Sequence, residues 1–155
     1  RVGVIGTRAT VTSGAYADAF AAAPDITLVQ QACPRFVEFV EAGVTGGTEL
    51  QSVAHEYLDP VVEAGVDTLV LGCTHYPLLK KAIARIAGPT VSLVDSAENC
   101  ALSVSHLLRE SHLATPKKDN GQLKVTLTDS AEGFLHTASQ ALDLPITKVS
   151  LQSPT

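Results

Sequence analysis

At 155 residues the chain is long enough for one domain of ordinary size with a real core. Hydrophobic residues make up 45% of it, which excludes a disordered tract. A net charge of −5, with no basic block longer than Lys117-Lys118, argues against nucleic acid or an anionic membrane as a partner.

In chain order the pattern alternates strand and helix. Val2-Ile5 reads as a short buried strand, followed by a polar turn, Gly6-Thr7-Arg8-Ala9-Thr10. A helix from Gly14 to Ala22 should stop at Pro24, and Ile26-Val29 is the next strand. Phe36-Glu41 is a short helix ended by Gly43. From Glu49 to Glu63 the residues Leu50, Val53, Ala54, Tyr57, Leu58, Val61 and Val62 make one apolar stripe at helical spacing. Pro60, lacking a donor, should kink or end it. Asp67-Leu71 is an apolar strand, Leu78-Ala87 a helix broken by Gly88-Pro89, and Val91-Val94 a further strand. Asp95 is placed to cap the helix that runs to about Leu108, with Glu98 as reciprocal partner. Residues 115–121 are linker-like. Gln122-Thr128 alternates as a one-sided strand, Ala131-Leu142 is a last helix and Ile146-Leu151 a last strand.

Strands joined by helices of this length pair in parallel, so the fold class is α/β with a layered parallel sheet. A core strand at the first residue needs neighbours to cover it, which points to an N-terminal part missing from the chain. A change in composition near Asp95 marks a seam between two units. The three cysteines, Cys33, Cys73 and Cys100, form no C-x-x-C pair and no even disulfide set, as in a reducing compartment. The longest uncharged stretches, such as Thr68-Leu79, are too short to span a bilayer, and the opening residues lack a signal-peptide pattern.

Sites in open parallel sheets lie at the carboxyl ends of the strands. Two loops there carry chemistry. Thr7 and Thr10 lie in the first, whose hydroxyls and free N–H groups suit a carboxylate or phosphate, or simply start a helix. The second is Gly72-Cys73-Thr74-His75-Tyr76-Pro77. A thiolate there is a competent base or nucleophile, and an adjacent imidazole lowers a thiol pKa. The alternative is a cysteine packed as a small hydrophobe. Glu38 and Glu41 share a helix face, so one of them can orient His75, or both are solvated. Cysteine and histidine spacing matches no zinc motif, and His106, His112 and His136 read as surface residues.

Asp67 to Leu79 resembles the second cysteine motif of glutamate racemase, in the aspartate/glutamate racemase superfamily. Gly3-Val11, Gln31-Gly43 and Val94-Ala97 are similar to the same family in the same order. The resemblance implies an enzyme that interconverts L- and D-glutamate with no cofactor, neither pyridoxal phosphate nor metal, and supplies D-glutamate for peptidoglycan and cell shape in the cytoplasm. It implies Cys73 as one of two catalytic cysteines, Thr74 and His75 as substrate contacts with His75 assisting the thiol, and Glu41 rather than Glu38 as the carboxylate supporting His75. Thr7 and Thr10 would hold the substrate carboxylates.

The family's Asp-Ser-Gly and Cys-Asn-Thr motifs, the latter with the other cysteine, do not occur here. By the family's architecture, residues 1–94 correspond to its second α/β domain and 95–155 to the segment completing the first. The partners implied are glutamate, the missing N-terminal half with its cysteine, and a second copy in a homodimer. The chain alone would be inactive. Two other readings stand beside this one: a non-catalytic module that binds a small dicarboxylate, and a thiol hydrolase or transferase with Cys73 as nucleophile, His75 as its activator and Glu41 as the orienting group.

Overall fold

Val2–Gly6 forms the central strand β1 of a parallel sheet, in a computed structural model that describes residues 1–116, 123–130, 134, 135, 138, 146 and 149–153. Two short helices, α1 (Arg8–Thr12) and α2 (Ala15–Phe20), lead to β2 (Leu28–Ala32). Then come α3 (Arg35–Glu41), α4 (Thr48–Glu63) and β3 (Thr68–Leu71). A 3-10 turn (Tyr76–Leu79), α5 (Lys80–Ala87), β4 (Ser92–Asp95) and α6 (Ser96–Glu110) follow. The sheet order is β2-β1-β3-β4, every pairing parallel. A separate parallel pair joins β5 (Val125–Leu127) to β6 (Val149–Leu151).

Period-two alternation sorts the strand residues. Ile5, Leu69 and Leu71 enter one apolar cluster with Phe36 and Val40 of α3, Leu50, Leu58 and Val61 of α4, and Ile83 of α5. Val4 and its neighbours in register, Val70 and Val94, face the other way. Gly3 lets α4 settle onto the sheet, because a Cβ there would stand 2.9 Å from both Leu69 Cδ1 and Val61 Cγ1. The apolar stripe read from Leu50 to Val62 is the face turned inward, with Leu50, Val53, Ala54, Leu58 and Val61 buried and Tyr57 and Val62 partly so.

Several boundaries differ from the sequence reading, each for a local reason. The expected turn at Gly6–Thr10 is helical from Arg8, because the Thr7 hydroxyl accepts the Thr10 N–H at 3.2 Å and caps α1. The helix expected over Gly14–Ala22 is the shorter α2. The strand expected at Ile26 begins at Leu28, since pairing with β1 starts at the Val2↔Leu28 position. Pro60 does not end α4: it lies in the last part of the helix, where Val61 is buried beside it. The helix after Cys73 opens as a 3-10 turn before becoming α5.

Asp95 does cap α6, its Oδ1 accepting the N–H groups of Ala97 and Glu98 at 2.9 and 3.3 Å. The Glu98 carboxylate turns to Lys80 Nζ, 2.8 Å away, instead of completing a capping box. The expected helix Ala131–Leu142, with His136, and the linker beyond residue 116 fall largely or wholly outside the described residues.

Candidate active site

Parallel register brings four strand ends to one edge. Ile5 pairs with Leu71, Leu71 with Asp95 and Gly6 with Ala32, so the chain leaves the sheet there at Thr7, Cys33, Gly72 and Ser96. Gly72 is the pivot. Its N–H donates to Ile5 O at 2.8 Å, and a Cβ on it would lie 2.8 Å from that same oxygen and 3.1 Å from Tyr16 Oη. Only glycine lets β3 turn this tightly against β1.

Beyond Gly72 the chain folds back on itself. Tyr76 N–H donates to Cys73 O at 3.2 Å, and Pro77 occupies the first turn of the 3-10 segment, where its missing donor costs nothing. Tyr76 is fully buried. Its hydroxyl donates to Cys33 O at 2.8 Å, and its ring meets Phe36 edge-on, centroids 5.4 Å apart at 88°. Phe36 in turn meets Tyr57 of α4 at 5.4 Å. The Cys73 loop is thus fastened through one side chain to α3, α4 and the end of β2.

This fastening aligns the reactive groups. Cys73, half-buried, has its Sγ 3.9 Å from His75 Nδ1, and the Thr74 hydroxyl lies 3.4 Å from the same nitrogen. On the other side of the ring, His75 Nε2 stands 3.6 Å from Glu41 Oε1. That distance is within ion-pair reach and too long for a hydrogen bond. A thiol, an imidazole and a carboxylate therefore stand in line, with the carboxylate contributed by the C-terminal end of α3. Glu41 makes the contact, and Glu38, one turn earlier, is not paired with the imidazole. Thr7 and Thr10 lie at the neighbouring strand end, their hydroxyls 2.9 Å apart.

The other two cysteines have different surroundings. Cys33 is fully buried, and burial pushes its thiol from 9.0 up to about 12, so it stays protonated at neutral pH and cannot act as a base. Cys100 is exposed on α6. Burial likewise raises the Tyr76 phenol well above its ordinary value, with the nearby Cys33 and Cys73 adding to the effect. No group of three His, Cys, Asp or Glu among the described residues is arranged to hold a metal ion. Nor is any helix among them long and apolar enough to cross a membrane. His106 pairs with Glu110 on exposed α6, and His112 follows that helix with a positive φ of 55°.

Sequence reasoning missed two residues of this site, Tyr76 and Tyr16. Tyr76 sits in the same hexapeptide as Cys73, and an aromatic residue with a hydroxyl between a histidine and a proline is a fair anchor signal. Tyr16 gave none, because its approach to Gly72 depends on α1 and α2 folding back over the strand ends.

Comparison with known proteins follows the same outline. Residues 1–102 match the profile of the Asp/Glu/hydantoin racemase family. The chain is 57% identical over 143 residues to a glutamate racemase of Mycobacterium tuberculosis, covering 92% of this chain and 53% of that protein. It is 47% identical over 155 residues to one of Mycobacterium ulcerans, covering 99% and 57%. Among solved structures, the glutamate racemase of Thermus thermophilus in complex with β-chloro-D-alanine superimposes with a TM-score of 0.84 at 37% identity, covering 99% of this chain and 56% of that one. That of Francisella tularensis in complex with D-glutamate gives 0.83 at 32%, covering 99% and 57%. The chain spans little more than half the length of these relatives. With its profile match extending from β1 into α6 and these structures superimposing on 99% of it, the chain belongs to the Asp/Glu/hydantoin racemase family.

Proposed function

We propose that this chain supplies one catalytic face of a cofactor-independent glutamate racemase, with Cys73 as the acid/base on that face. The line Cys73–His75–Glu41 at the carboxyl edge of the sheet carries the reading. As thiolate, Cys73 Sγ takes the α-proton of glutamate while the C–H electron pair passes into the substrate carboxylate. A second acid on the opposite face returns a proton to the α-carbon, and inversion is complete. In the reverse direction the Cys73 thiol is the donor. His75 assists the thiol, Glu41 holds the imidazole, and Thr7, Thr10 and Thr74 bind the substrate carboxylates.

Inversion needs donors on both faces, and this sequence offers Cys73 alone. Cys33 is buried and held neutral, while Cys100 is exposed on α6. The second acid/base therefore comes from residues outside these 155, and the chain by itself does not racemise. In this reading residues 1–94 form one α/β domain and 95–155 complete another. The complexes of the Francisella tularensis enzyme with D-glutamate and of the Thermus thermophilus enzyme with an amino-acid analogue support the substrate class. The product would feed peptidoglycan synthesis.

The test uses the complete protein and a glutamate analogue with a β leaving group, whose elimination needs only proton abstraction. Cys73→Ala should abolish racemisation in both directions and still eliminate from the single enantiomer whose α-hydrogen faces the other base. Elimination from both enantiomers at equal rates would remove Cys73 from the role of face-specific base. A stable acyl adduct on Cys73 after incubation with an acyl donor would favour the thiol-transferase reading instead.

A further inference from the structure

None of Cys73, His75 and Glu41 lines the open groove of about 500 Å³ between α4 and α5. Its polar lining comes from both helices and from the connection between α3 and α4. Gln51 and His55 are one turn apart on α4, Lys81 and Arg85 one turn apart on α5, and Thr45-Gly46 lies at the open end. Ala82 and Ile86 provide the apolar part of the wall.

The charge distribution is uneven. The chain carries a net charge of −5, yet no carboxylate lines this groove. Lys81 and Arg85 make no ion pair among the described residues, whereas Arg35 pairs with Glu49 and Lys80 with Glu98 and Asp95. On α4, Asp59 is engaged by His55 Nδ1 at 3.0 Å, which leaves Nε2 as the other ring nitrogen. Two unneutralised cations one turn apart, an amide across from them and exposed backbone beside Gly46 form a cradle for an anion with several oxygens, to which His55 Nε2 adds a donor when the ring is protonated.

The size and the wall narrow the class. The groove is too large for a single small ion, and it holds no aromatic ring on which a nucleobase could stack. We propose that this groove binds a small phosphorylated metabolite, a sugar or polyol mono- or diphosphate, with its phosphoryl oxygens shared between Arg85 and Lys81 and its carbon skeleton against Ala82 and Ile86. The site is independent of the racemase reading, since its residues take no part in proton transfer.

Titration of the 155-residue chain with glycerol 3-phosphate, pyrophosphate and citrate, followed by amide chemical shifts, tests this. The two phosphates should give saturable shifts at Gly46, Gln51, His55, Lys81 and Arg85, and should weaken as salt is raised. The double variant Lys81→Gln/Arg85→Gln, both exposed positions, should lower affinity at least about tenfold while leaving the rest of the spectrum in place. His55→Gln should weaken binding less. Absence of saturable shifts in the groove, shifts that survive the double variant, or citrate bound as tightly as the phosphates would each overturn the assignment.

Discussion

Cys33 and Cys73 lie at the ends of β2 and β3, on either side of β1, the first fully buried and the second half-buried beside His75. Because the folded pKa of Cys33 is raised from 9.0 to about 12, the native state keeps its proton while the unfolded chain loses it. Stability should therefore be unaffected by this group below about pH 9 and fall as pH rises from there toward 12, by up to ~1.4 kcal/mol per pH unit. Denaturant unfolding of the wild type and Cys33→Ala across that range measures it; equal slopes in both would contradict the shift. The Tyr76 phenol adds a loss of the same sign above pH 10, which the variant retains. Glu41 poses a question of magnitude. Its pair with His75 is 3.6 Å long and 61% exposed on the carboxylate side, so the contact is worth at most about 1 kcal/mol. On the racemase reading, Glu41→Gln in the complete protein should then lower kcat by about fivefold or less with KM little changed, whereas Glu38→Gln leaves both as they were. His75→Ala, which removes the group beside the thiol itself, should cost roughly 10²–10⁴ in rate. The hexapeptide Gly72–Pro77 was legible as a candidate site because its chemistry is local in sequence. The choice of Glu41 over Glu38 was open from spacing, since two acids one turn apart on a helix are equivalent until the partner's position is known.

At the scale of elements, the stripe on α4 and the apolar run of β3 were readable because each buries one continuous face, and burial enforces the period. The misread elements are those whose form depends on a single polar contact or on strand pairing. Thr7 turned an expected loop into α1 by capping, and β2 took its register from β1 and not from its own hydropathy. The Cys73 loop stands where it was expected, but its shape follows from Tyr76 and Gly72, which tie it to elements far away in sequence. Tyr76→Phe should leave the Cys33 carbonyl with the Phe36 N–H, 3.2 Å away, as its remaining donor and cost about 0.5–1.5 kcal/mol in denaturant unfolding. Gly72→Ala should cost a similar amount or more, because its Cβ meets the Ile5 backbone, which has no flexible end to give way. A Gly72→Ala protein with wild-type stability and an unshifted Cys73 environment would mean that the loop is held by something other than this close approach.

Helix α6 decides how the whole molecule behaves in solution. Ala97, Cys100, Ala101, Val104, Leu107 and Leu108 follow helical spacing along one side, the pattern of a face meant to be covered. Yet no residue of α6 is buried, with Leu107 62% exposed and Val104 49%. Leu113, just beyond the helix, is 71% exposed, and Leu102, at 69%, lies on the opposite side of α6. A fully buried leucine contributes about 1.5–3 kcal/mol relative to an exposed one, so a handful of such side chains left in water is a substantial drive to find cover. A small soluble domain seldom leaves a contiguous apolar patch of this extent open to solvent. The 155-residue chain should accordingly self-associate through α6 in a concentration-dependent way and bind a hydrophobic dye while its β1–β4 sheet remains intact. Leu107→Glu should reverse both effects without lowering the stability of the sheet, since Leu107 packs against nothing in the α3–α4–α5 core. Sedimentation velocity over a range of concentrations reads the first effect and dye fluorescence the second. A chain that sediments as a monomer at every concentration and ignores the dye would show that α6 finds its cover within these 155 residues.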